Sequence, residues 1–183
     1  GCWDKIEVNE LRIVTGIAIE LTSAGDYRVI MQTINPTAMS GSANGGGNPI
    51  FTKYYQNHAA EGESLFDAFG KLSKETTTQR FFAHTWVIII SEEFARERGV
   101  AEIVDYLVRN RQFRLDTWLL IGRGDLISLL DVPDAVQSVP SERIKDIVDK
   151  LENTDVVAPL KVGRFAELMA SDSRQAYTAG IES

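Results

Sequence analysis

Few residues of this chain could do chemistry, and their positions exclude more than they offer. Cys2 is the single cysteine, so no intramolecular disulfide can form. It stands in Gly1-Cys2-Trp3-Asp4. A bacterial lipoprotein signal ends in a small residue before a Cys that becomes the lipidated N-terminus; the plain alternative is an ordinary thiol. The two histidines, His58 and His84, have no Cys or His partner at metal-ligand spacing, so no metal site is expected. A Ser or Cys nucleophile would need one of them as base, but there is no Gly-x-Ser-x-Gly elbow. His84 stands at the mouth of an apolar run, where a structural histidine held by a backbone hydrogen bond is the expectation. Glu92-Glu93 follows Ser91 and reads as the acidic first turn of a capped helix rather than as an acid/base pair. The three glycines Gly45 to Gly47 suggest a phosphate loop, but the Lys-Ser/Thr it requires is missing. The last candidate is Arg109, Arg111 and Arg114 with Phe113 among them. They read either as cations closing a helix and entering a solvated turn or as a docking patch, since Arg and aromatic residues are enriched at interfaces.

The elements that must position these residues follow from the apolar pattern. Val87-Ile88-Ile89-Ile90 has no polar face, which predicts a strand covered on both sides in the middle of a sheet. Residues 11–21 and 27–34 predict two strands joined by Ser23-Ala24-Gly25-Asp26, a β-hairpin. Residues 37–49 predict a loop and 50–60 a third strand. Leu65, Phe66, Phe69 and Leu72 fall at helical spacing within 64–72, as do Ile103, Val104, Leu107 and Val108 within 100–110. With a strand over 115–121, the stretch 86–121 predicts a βαβ unit. Further helices are expected from Asp125 to Leu130, from Pro140 to Leu151 and from Val162 to Ala170. The fold class is therefore α+β: a central mixed sheet with an N-terminal hairpin, a βαβ unit and flanking helices. Residues 1–8 read as a tether and 9–183 as one domain.

Composition bounds the function. Of 183 residues, 44% are hydrophobic and 25% charged, an ordinary globular balance. Acidic residues outnumber basic ones, 26 to 19, for a net charge of -7. That speaks against a nucleic-acid partner, which favours a basic surface. No apolar stretch approaches the roughly 20 residues a transmembrane helix needs.

Taken together, several separate stretches resemble one family, the Ger(x)C lipoproteins, which are the C subunits of nutrient germinant receptors in spore-forming Firmicutes. They are Gly1-Cys2-Trp3-Asp4, Val14 to Ile19, Tyr27 to Pro36, His84 to Glu93, Asp105 to Asn110, Trp118 to Ile121 and Pro140-Ser141. The resemblance covers nearly the whole chain. Family members run to about twice this length, so the chain resembles their N-terminal domain. The resemblance implies lipidation at Cys2 by a diacylglyceryl (palmitate-type) anchor, and a place on the outer face of the spore inner membrane. It implies docking to the membrane-embedded A and B receptor subunits, no enzymatic activity and no cofactor. Arg109, Arg111, Phe113 and Arg114 are the candidate docking residues. Two rivals stand beside this reading: a small-molecule (germinant) binding module with a pocket beside the 37–49 loop, and a hydrolase using His84.

Overall fold

The run Val-Ile-Ile-Ile needs cover on both faces, and the chain provides two helical layers to supply it. The computed structural model describes residues 12–34, 55–74, 80–131, 139–152, 159–171 and 180–182. Cys2 and the tether, the 37–49 loop and the start of the expected third strand lie outside the described residues.

Eight strands form one mixed sheet among the described residues. They are β1 (Arg12–Leu21), β2 (Tyr27–Ile34), β3 (Tyr55–Gly62), β4 (Arg80–Phe81), β5 (Val87–Ser91), β6 (Trp118–Arg123), β7 (Leu160–Lys161) and β8 (Gly180–Glu182). The order is β3-β2-β1-β5-β6-β7, with β4 on β1 and β8 on β6. The expected hairpin is there: β1 and β2 pair antiparallel from Ile13 opposite Ile34 to Leu21 opposite Tyr27. Gly25 closes it at φ 85°, a left-handed conformation that costs glycine little. β5 lies between β1 and β6, parallel to both. The third strand is described over Tyr55–Gly62, running two residues past the expected end, and stands at the edge of the sheet among the described residues. β6 begins later than expected, because backbone bonds from Phe113 to Asn110 and from Thr117 to Arg114 fold the preceding residues into turns. Leu115 is left 48% exposed there.

The helices are α1 (Leu65–Lys74), α2 (Glu92–Glu97), α3 (Ala101–Arg109), α4 (Leu126–Leu129), α5 (Pro140–Leu151) and α6 (Val162–Ala170). Their starts follow local chemistry. Ser91 accepts the Phe94 N–H at 3.1 Å and Asp125 the Ile127 N–H at 3.1 Å, while Pro140 opens α5. Because side chains alternate across a strand, β5 feeds two cores. Ile88 and Ile90 join Ile17, Ile19, Val29 and Met31 under α1, α2, α3 and α6. Val87 and Ile89 join Ala18, Ile30 and Leu120 under α4 and α5. Two expected core residues are outside. Phe66 is 78% exposed and Val108 43%. On α1 the face made by Leu65, Ala68, Phe69 and Leu72 already fills the space against the sheet, and Phe66 lies about a quarter turn off it. Val108 lies just past the stripe of Ile103, Val104 and Leu107.

One buried polar side chain ties the sheet to the second layer. Gln32, wholly buried on β2, donates to the Leu130 carbonyl at 2.6 Å and to Asn57 at 3.1 Å. Its Oε1 accepts the Ser141 N–H at 2.9 Å, one of the donors a helix start leaves unpaired. α5 comes so close that a Cβ on Gly16 would sit 2.7 Å from that of Ser141. A glycine beside the bulge at Val14/Gly16 is what lets the helix reach the sheet.

Candidate functional site

The arginine cluster does not form one patch. α3 ends at Arg109, and the turns that follow send Arg111 and Arg114 to different places. Arg109 and Arg111 line an open groove of about 510 Å³ between the first turn of α1 and the C-terminal half of α3, together with Phe66, Asp105 and Tyr106. Arg114 lines a separate cleft with Trp86 and Trp118. Phe113 lies in neither. It is 7% exposed in the first core, with ring centres 5.0 Å from Phe82 and 5.8 Å from Phe69. Its place as a docking residue is therefore corrected: the side chain faces inward, because the turn that exposes the arginines on either side buries the residue between them.

The groove combines an apolar prow with mixed charge. Phe66 projects from α1, whose start is held by Ser64 accepting the Asp67 N–H at 3.1 Å. Lys71 bonds Asp67 at 2.9 Å one turn on. That hydrogen bond, opposed by slight desolvation, holds the Asp67 carboxyl below its ordinary range. The wall of the groove is Tyr106, half-buried and stacked on Phe69 at 5.0 Å with planes 15° apart. Burial raises its hydroxyl above the ordinary phenol range, against the Asn110 side chain, which lowers it. Arg109 donates to Asp105 at 2.8 Å, with both side chains well exposed. Glu102 takes the Tyr27 hydroxyl at 2.7 and 2.9 Å, pinning α3 to the hairpin. Burial, with Glu102, pushes the Tyr27 hydroxyl above its ordinary range. Arg111 is exposed at the mouth. Phe66 and the two arginines thus share the lining of one groove.

The other candidates are dispersed. His58 is half-buried on edge strand β3, and His84 is exposed in the turn before β5, with β2 and β1 between these strands. His84 stands at the mouth of β5, exposed, and lines the cleft there. Glu92 takes its place in the first turn of α2, bonded to Arg96 and Arg123 at 2.9 Å each. Among the described residues no group of three or more His, Cys, Asp or Glu is placed to hold a metal. No helix among them is long and apolar enough to cross a membrane. Sequence reasoning missed Phe66 as a surface residue. The signal was present: a helix needs only one apolar stripe, and Phe66 falls outside the i, i+3, i+4, i+7 set begun by Leu65.

Among the described residues the domain is a mixed sheet covered on both faces, with an aromatic-and-arginine groove between α1 and α3. The chain matches the model of the spore germination protein N-terminal domain over residues 4–183, and it belongs to that family. It is 30% identical over 156 residues to spore germination protein KC of Bacillus subtilis (strain 168), covering 83% of this chain and 37% of that protein. It is 32% identical over 147 residues to the putative spore germination protein YfkR of the same organism, covering 80% of this chain and 38% of that one. Spore germination protein B3, again from that organism, is 25% identical over 167 residues, 90% of this chain and 43% of its own. The chain thus spans less than half the length of the curated relatives it matches. No solved structure matches it at a significant level.

Proposed function

We propose that the protein acts in spore germination as a non-enzymatic, lipid-anchored subunit of a nutrient germinant receptor. In this reading it sits on the outer face of the spore inner membrane and docks to the membrane-embedded A and B subunits through the groove between α1 and α3. Membership of the germination family supports the process. The observation that carries the docking is Phe66, 78% exposed beside Arg109 and Arg111. Burying a phenyl ring against a partner is worth about 1.5–3 kcal/mol, and the partner supplies what this chain's own core does not. The reading needs no cofactor.

The test is the triple variant Phe66→Ala, Arg109→Glu, Arg111→Glu in the full-length protein. Breaking the exposed Arg109–Asp105 pair should cost at most about 1 kcal/mol, so the melting temperature stays close to that of the parent. Germination rate and co-purification with the A and B subunits should both fall several-fold. Normal germination with the subunits still associated would remove the groove from the mechanism.

Cys2, with residues 1–8 as spacer, carries the anchoring half of the reading. Two acyl chains give stable membrane attachment where one does not, and Trp3 suits the headgroup level. Mass spectrometry of the N-terminal peptide from spore membranes should find Cys2 bearing a diacylglyceryl group. A membrane-bound protein with unmodified Cys2 would sink the anchor.

A further inference from the structure

The cleft that receives Arg114 has about 250 Å³ and opens at the N-terminal ends of the parallel strands β5 and β6. Distant stretches of sequence meet there: Trp86 ahead of β5, Trp118 at the start of β6, Lys145 and Asp149 one turn apart on α5, and Lys161 on β7. Three cations face two carboxylates, in a chain of net charge -7.

Two of the cations are committed. Arg114 forks onto Asp116 at 2.9 and 3.0 Å. Lys145 donates to Asp149 at 2.7 Å, and the Trp118 Nε1–H takes the other oxygen of Asp149 at 2.7 Å. Burial works against ionisation of Asp149, but these two hydrogen bonds and the nearby lysine charges outweigh it and hold the carboxyl below its ordinary range. Asp149 is thus a fixed anion whose oxygens are both engaged. Lys161 is different. Its Nζ stands 4.4 Å from the centre of the Trp118 ring, over the π face. Its carboxylate neighbour, Glu152, is 3.4 Å away and half-exposed, a weak pair. An ammonium has three donors, so Lys161 can serve an anion from the cleft without leaving the indole. Half-buried Trp86 gives the anion's body an apolar wall, while Trp118, 3% exposed, lies beneath Lys161 and holds it in place.

We propose that this cleft binds a small carboxylate with an apolar body, the carboxylate on Lys161 where it covers Trp118 and the body against Trp86. The volume is below the usual range for drug-sized ligands, so the ligand is held to about ten non-hydrogen atoms and a Kd of about 1 mM. The site lies apart from the groove between α1 and α3 and does not rest on the docking reading.

Benzoate is a suitable probe and benzamide its uncharged counterpart. Each is titrated into the 183-residue chain while tryptophan fluorescence and the NMR signal of the Trp118 Nε1–H are followed. Benzoate should reach half-saturation near 1 mM and benzamide bind about tenfold more weakly. Lys161→Gln should weaken benzoate about tenfold with an unchanged melting temperature, and Lys161→Arg, which keeps the charge, should restore most of the binding. Arg111→Glu, in the groove, should bind benzoate as the parent does. Equal binding of benzoate and benzamide, an unaltered affinity in Lys161→Gln, or no saturation by about 20 mM would overturn the proposal.

Discussion

Phe113→Ala should cost the protein about 3–5 kcal/mol, the usual loss for emptying a buried phenyl site. The ring is 7% exposed and packs against Phe69, Phe82 and Tyr106, with the last at 6.3 Å. It holds the turn after α3 onto the first core, so its removal leaves a cavity at the junction of α1, α3 and the sheet. A small domain has only about 5–15 kcal/mol in all. Urea denaturation should therefore show a clearly lowered midpoint at unchanged slope. A loss under about 1 kcal/mol would mean the ring is not a core residue. The variant also serves as a control for docking experiments: a germination defect in Phe113→Ala reflects lost protein, while one in the groove variants does not.

Ile88→Ala and Ile89→Ala should each cost about 2–5 kcal/mol. They are neighbours with 0% exposure, yet they belong to different cores, Ile88 with Phe94 and Leu107 and Ile89 with Leu126 and Ile144. The two side chains lie in different cores, so the two losses come from separate sides of the sheet. A loss under about 1 kcal/mol at either position would show one face of β5 to be open.

How far the sequence carried the fold depends on what each signal measures. The central strand, the hairpin and the helix starts were legible because they rest on local chemistry: four β-branched residues, a Gly turn, Ser91, Asp125 and Pro140. Phe66 and Phe69 are the same residue type three positions apart, and composition cannot tell the prow from the core; only their angle about the helix does. Phe113 was read with its arginine neighbours, but a turn can send adjacent side chains to opposite sides. β4, β7 and β8 were not anticipated, since two or three residues show no period. The groove was half legible, through Arg109 and Arg111, while the Trp86–Trp118 cleft was not. It is assembled from stretches that only the parallel pairing of β5 and β6 brings together.

Contacts between residues distant in sequence also shape how the chain reaches its fold. Thr85 bonds the Val14 carbonyl across 71 residues of sequence, and Gln32 bonds Ser141 across 109. Contacts so distant form late, and domains built on them fold in milliseconds to seconds rather than microseconds. Until they form, Val87 to Ile90 is an unpaired, uncharged β-branched segment, the kind that seeds cross-β aggregation. Ser91, Glu92 and Glu93 stand directly after it. In the folded protein they cap and charge α2. During folding they act as gatekeepers, placing two negative charges where a second copy of the strand would have to stack.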